Sequence, residues 1–120
     1  MEKNFSEVII RHSRLPQNKK RIPNPDHTFD AENPSCGDHV IFDVTTDKRG
    51  RIKSVGWDGS GCVISMASAS VFSQMIQGKT LKEVQDMNGD LILQKIGMKL
   101  SPSRHKCAVL ALFCIKQSWQ

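Results

Sequence analysis

The stretch from His39 to Gly59, HVIFDVTTDKRGRIKSVGWDG, decides the fold. Val40, Phe42 and Val44 alternate with Ile41 and Asp43, a period of two that suits a pleated strand with one buried face. Asp47-Lys48-Arg49-Gly50 supplies turn chemistry, and Ile52 and Val55 carry apolar content past it. The stretch predicts a β-hairpin. Beyond it the period changes. In SGCVISMASASVFSQMIQGKT, residues 60–80, Ile64, Ala67, Ser68, Val71 and Met75 form a helical stripe rich in small residues, with Gly78 as a stop. Thr80 and Glu83 have capping-box spacing, so a short helix starts there. DLILQKIGM, residues 90–98, predicts another, stopped near Gly97. A last helix opens with Ser101 as N-cap and Pro102 at its first position, and its stripe is Cys107, Leu110, Ala111 and Cys114.

Upstream of the hairpin, Phe5, Val8, Ile9 and His12 in FSEVIIRHSR have helical spacing. Residues 15–35, LPQNKKRIPNPDHTFDAENPS, hold four prolines and predict an extended loop. The layout is α+β, with helices laid on one face of a small antiparallel sheet. At 120 residues, 38% hydrophobic and 24% charged, the chain has the composition of one globular domain, residues 1–120, large enough to bury a core without a staple.

The same composition narrows the function. No apolar run approaches the ~18 residues of a membrane span, which argues against a membrane protein. The N-terminus lacks the apolar segment and cleavage site of a secretory signal, so a cytoplasmic location and reduced cysteines are expected. Net charge is +5, and Lys19, Lys20 and Arg21 stand in a row. There is no tyrosine and no interleaving of aromatic with basic residues, which disfavours nucleic acid as a partner. The basic run reads first as a solvated face and second as a docking surface for a protein.

Chemistry concentrates at the cysteines. NPSCGDH, Asn33–His39, sets the Cys36 thiol two residues from Asp38, and Gly37 between them lets the backbone turn so that both face one point. Cys62 stands just before a helix. Cys107 lies near the start of the last one, after Arg104, His105 and Lys106. A helix N-terminus and cationic neighbours favour the anionic sulfur, the form that binds metal and attacks sulfur. Three thiolates and one carboxylate suit zinc or part of an iron–sulfur site. Asp38, a hard ligand among soft ones, is the member expected to exchange first. Separations of 26 and 45 residues match no standard finger or knuckle. From spacing alone, three readings stay open: a shared metal site, a separate buried role for each cysteine, and a Cys–His hydrolase on Cys36 or Cys107. Cys114, about 10 Å along the helix from Cys107, is too far to share its ion and reads as core. His105 is a spare ligand or an exposed helix histidine, and Met66 and Met75 read as core.

NPSCGD, GSGCVISMASAS, GKTLKEV and RHKCAVLAL, in that order, resemble the iron–sulfur cluster assembly proteins of the IscU/SufU type, related to the N-terminal domain of NifU. The resemblance covers nearly the whole chain. It implies a three-stranded antiparallel sheet with helices packed on one side. It also implies the metal ligands Cys36, Asp38, Cys62 and Cys107, and a small core residue at Cys114. The family has two branches. In one, members are scaffolds for a 2Fe–2S cluster; in the other, they are zinc-containing acceptors of persulfide sulfur from a cysteine desulfurase. GCVISMASAS and Arg104-x-Lys106-Cys107 resemble the acceptor branch, since the scaffold branch has a histidine where Lys106 stands. The span from Thr80 to Cys107 is too short for the segment that the acceptor branch carries before its last helix.

The function expected on this resemblance is a zinc-binding sulfur carrier. Cys36 is the first candidate acceptor and Cys107 the second, with Arg104 and Lys106 supporting the thiolate. Its partners would be a cysteine desulfurase and downstream cluster-assembly or apo iron–sulfur proteins. The alternatives are a scaffold for a transient 2Fe–2S cluster and an interaction module with a purely structural metal.

Overall fold

A computed structural model describes residues 6–33 and 37–118. Helix α1 (Glu7–Arg14) starts where the Ser6 hydroxyl accepts from the Ile9 N–H. Three strands follow, β1 (His27–Asn33), β2 (Asp38–Thr46) and β3 (Ile52–Ser60), then α2 (Val63–Met75), α3 (Leu81–Gln85), α4 (Gly89–Ile96), α5 (Pro102–Ala108) and α6 (Leu110–Ser118). The strands form one antiparallel sheet in the order β1-β2-β3. The hairpin, the Thr80–Glu83 capping box and the left-handed stop at Gly97 all form as predicted.

Strand β1 corrects the loop expected over residues 15–35. Its alternation is real, with Phe29, Ala31 and Asn33 buried and Thr28, Asp30 and Glu32 exposed between them. Only one of the three inward residues is large and apolar, so the hydrophobic period was muted in a proline-rich context. β1 pairs along its whole length with β2, from His27 opposite Val44 to Asn33 opposite Asp38.

In register, Phe29, Phe42 and Trp57 line one face of the sheet. Phe42 stacks on Trp57 with centroids 6.0 Å apart and meets the edge of Phe72 from α2 at 5.6 Å. Ile64, Ala67 and Phe72 of α2 and Ala111, Leu112 and Ile115 of α6 complete that core, so the helices lie on this face. The predicted single last helix is instead bent. Val109, at φ −103° and ψ 8°, separates α5 from α6, although Val109 N–H still donates to His105 O at 3.1 Å. This β-branched residue is wedged against Gly89, where a Cβ would come within 3.1 Å of its Cγ1.

The opposite face carries Thr28, Asp43 and Gly56 side by side. Residues 20–22 lie across it so closely that a Cβ on Gly56 would fall 2.2 Å from Lys20 O. The basic run is therefore not simply solvated. Arg21 Nε donates to the fully buried Asp43 at 2.7 Å, and the Lys19 ammonium sits 5.5 Å over the Trp57 ring. All three side chains stay exposed, as expected of a solvated face, but Lys19 and Arg21 are also engaged with the sheet.

His12, on the apolar stripe of α1, is buried with Nδ1 2.7 Å from Ser70 Oγ. Ser70 Oγ also accepts from the Gln17 N–H at 2.7 Å. The one hydroxyl proton of Ser70 is then free to donate to a neutral His12. Burial, followed by the charge of Arg11, lowers the His12 pKa. A depressed histidine contributes stability that is complete above its unfolded value of about 6.5 and lost as pH falls through the folded value. Melting temperature should therefore drop on going from about pH 7 to about pH 5, and His12→Gln should flatten that drop. An equal drop in the variant, followed by circular dichroism, would assign the loss to other groups.

Candidate functional site

The site is built where β2, the β3–α2 junction and α5 meet. Asp38 opens β2 directly after Gly37, which holds φ +75°, a left-handed conformation that glycine adopts without strain. Its side chain points to the helix side and is 2% exposed, whereas His39, next in the strand, points to the opposite face and bonds Asp30 at 2.8 Å. Asp38 Oδ1 accepts from the Cys62 N–H at 3.1 Å, and Oδ2 lies 3.9 Å from Cys62 Sγ.

Cys62 is the N-cap of α2. Its Sγ accepts from the Ser65 N–H at 3.4 Å, which holds the sulfur at the electropositive end of the helix. Cys107 comes in from α5 and is buried. Among the described residues, one ligand atom each from Asp38, Cys62 and Cys107 lies within 4.8 Å of the others. Three elements remote in sequence thus bring two sulfurs and a carboxylate oxygen to one point. Cys36 lies outside the described residues.

The donor set suits a borderline-soft ion such as zinc, which takes sulfur and carboxylate ligands in a tetrahedral shell. The backbone is cut to fit it. A Cβ on Gly61 would lie 2.5 Å from Asp38 Oδ1 and 2.6 Å from Ser65 Oγ, so the carboxylate occupies the space that any other residue would fill. Gly61 has no positive φ; its role is room rather than backbone freedom, which leaves no signal in the sequence. Ser65, also missed, is buried on the first turn of α2 with its hydroxyl 3.6 Å from Cys62 Sγ. Only its position three residues after the cysteine could have signalled it.

The remaining candidates fall outside this cluster. Cys114 is fully buried in the core, and burial, with the charge of Asp30 adding, pushes its thiol up to about 12. Met66 and Met75 pack against the core. Arg104, His105 and Lys106 are exposed along α5. Lys106 lines an apolar groove of about 310 Å³ with Glu32, Asn33, Val109, Leu110 and Phe113. No helix among the described residues is long and apolar enough to cross a membrane.

Comparison with known proteins places this geometry in a family. The chain is 30% identical to the "Zinc-dependent sulfurtransferase SufU" of Bacillus subtilis, over 89% of this chain and 83% of that protein. It is 25% identical to the "Iron-sulfur cluster assembly scaffold protein IscU 1" of Archaeoglobus fulgidus, over 95% and 73%. The crystal structure of FiSufU from Fervidobacterium islandicum AW-1, a SUF-system protein, superposes with a TM-score of 0.76 at 28% identity, covering 94% of each chain. The profile of the NifU-like N terminal domain matches residues 4–120, and the chain belongs to that family.

Proposed function

We propose that this protein is a zinc-binding sulfur carrier of iron–sulfur cluster biogenesis, in which Asp38, Cys62, Cys107 and Cys36 hold the ion. The observation that carries the reading is the approach of Asp38, Cys62 and Cys107 to within 4.8 Å of one another. Cys36 stands two residues before Asp38 and supplies the fourth donor. Zinc, when bound, keeps the thiols ionised at neutral pH and leaves them unavailable to oxidants.

The chain's own residues then divide the work. Asp38, the hard donor of the set, or one thiolate would leave the ion, and the hydrogen bond from Cys62 N–H gives a released carboxylate a resting place. A freed thiolate, Cys36 first and Cys107 second, attacks the outer sulfur of a persulfide on a cysteine desulfurase. The new sulfur–sulfur bond forms as the donor's own cysteine leaves as thiolate, so electrons balance without an external oxidant. The exposed cations Arg104 and Lys106 flank Cys107 and favour an anionic sulfur there. The setting is the cytoplasm, and the sulfur passes on to cluster-assembly or apo iron–sulfur proteins.

The second reading, a scaffold on which a 2Fe–2S cluster is built as cargo, is favoured by the scaffold names of relatives such as the one from Archaeoglobus fulgidus. Against it stands Lys106, since an ammonium offers no lone pair to iron. Metal analysis tests the site. Cys36→Ser, Cys62→Ser, Cys107→Ser and Asp38→Ala should each lose most of the zinc, and Cys114→Ser should keep it. Stable zinc together with faster desulfurase turnover selects the carrier. A coloured cluster formed anaerobically and transferred intact selects the scaffold.

A further inference from the structure

Ser65 has one hydroxyl proton and two acceptors within reach, both on Cys62. Its Oγ donates to Cys62 O at 3.1 Å and lies 3.6 Å from Cys62 Sγ. The carbonyl does not depend on that proton, because the Met66 N–H already donates to Cys62 O at 3.0 Å in the regular helical pattern. The sulfur accepts the Ser65 backbone N–H at 3.4 Å, which fixes its direction and brings it into range of the hydroxyl on the same residue. Ser65 is 2% exposed, so its hydroxyl approaches the sulfur from the buried side, although Cys62 itself is exposed. Hydrogen bonds to an anionic acceptor are about twice as strong as those between neutral groups. Rotation about the Cβ–Oγ bond is enough to move the proton from carbonyl to sulfur.

We propose that Ser65 is a positioning residue for Cys62, its hydroxyl turning from the Cys62 carbonyl onto the sulfur when that sulfur serves as a metal ligand. This rests on the reading of Cys62 as a metal ligand. The hydroxyl and the backbone N–H of one residue then hold the sulfur from two sides. They keep it aimed at the point shared with Asp38 and Cys107 and lower its electron donation to the ion. Gly61 matters here as well, since a side chain there would strike Ser65 Oγ.

Cobalt(II) is the probe, because its sulfur-to-metal charge-transfer band reports the donor energy of the bound thiolates. Ser65→Ala should move that band to longer wavelength and weaken cobalt and zinc retention against a chelator by about 10-fold to 100-fold, the usual cost of removing a partner of a metal ligand. Ser65→Thr, which keeps the hydroxyl, should restore both. A serine that merely caps the helix would lower the melting temperature of the metal-free protein and leave band and retention unchanged; that result overturns the proposal. So does failure of Ser65→Thr to rescue. Alanine is a better helix former than serine, so Ser65→Ala is expected to fold, and melting of its metal-free form checks this. Wild-type protein that takes up neither metal would overturn the metal reading itself, whereas a wild type that binds with an unaltered Ser65→Ala variant overturns only this inference.

Discussion

Asp43→Ala should lower unfolding free energy by about 3 kcal/mol, enough to bring the melting temperature down by roughly 10–15 °C for a domain of this size. Asp43 is fully buried on the sheet face away from the helices. It accepts from Arg21 Nε at 2.7 Å, Arg21 Nη2 at 3.1 Å, the Ile22 N–H at 3.0 Å and Thr28 Oγ1 at 2.8 Å. One carboxylate therefore fastens the crossing segment to two strands. Removing it leaves the Ile22 N–H without its acceptor and releases the segment that covers Gly56 and Trp57. The asparagine variant keeps the shape and one oxygen, and should cost less. Urea denaturation of both variants measures the difference. A loss below about 1 kcal/mol in Asp43→Ala would mean the segment is held by the bonds from Trp57 Nε1 to Gln17 O at 2.8 Å and from Asn18 Nδ2 to Ser73 Oγ at 3.0 Å.

The same residue sets an acid limit. Burial raises the pKa of Asp43, but the Arg21 guanidinium, the Ile22 N–H and the Thr28 hydroxyl together outweigh it and hold the carboxyl below its usual range. Its contribution is present above the unfolded value of about 3.9 and is lost as pH falls through the folded value. Acid unfolding of the wild type should therefore steepen below about pH 4, and the limb should be shallower in Asp43→Asn.

What could be read ahead of the structure follows from how each feature is encoded. The hairpin was legible because Val40, Phe42 and Val44 state its period in large apolar residues. Strand β1 states the same period with Phe29, Ala31 and Asn33, and a small and a polar residue carry little signal. The approach of Cys62 and Cys107 to Asp38 was legible only through ordered motifs, since a separation of 45 residues between the two cysteines carries no geometry of its own. Arg21 looked like one cation among three because its partner lies 22 residues away on a strand whose outer face was expected to be solvated. Gly61 and Ser65 were not legible as site residues at all: one acts by taking no space and the other through a hydrogen bond, and neither leaves a pattern in composition or spacing.

Gly61→Ala should abolish metal retention while leaving the fold in place. The added Cβ falls 2.5 Å from Asp38 Oδ1 and 2.6 Å from Ser65 Oγ, both on buried side chains. Neither oxygen can yield into solvent, and Asp38 Oδ1 is also held by the Cys62 N–H at 3.1 Å. The carboxylate must rotate away from the two sulfurs, and the proposed donor set loses its oxygen member. Displacing a ligand costs at least as much as losing its supporting partner, so retention should fall by about 100-fold or more. Gly59→Ala is the contrasting substitution. Its Cβ would meet the backbone oxygen of His39 at 2.3 Å, inside the β2–β3 pairing. There the strands themselves must part, at a cost of about 1–3 kcal/mol, and the metal should be lost only in proportion to the unfolded fraction. Zinc content and melting temperature, measured on the two variants together, should therefore move in opposite patterns. If Gly61→Ala kept its zinc at wild-type affinity, Asp38 would not be a ligand, and the carboxylate beside Cys62 would be no more than a cap on the β3–α2 junction.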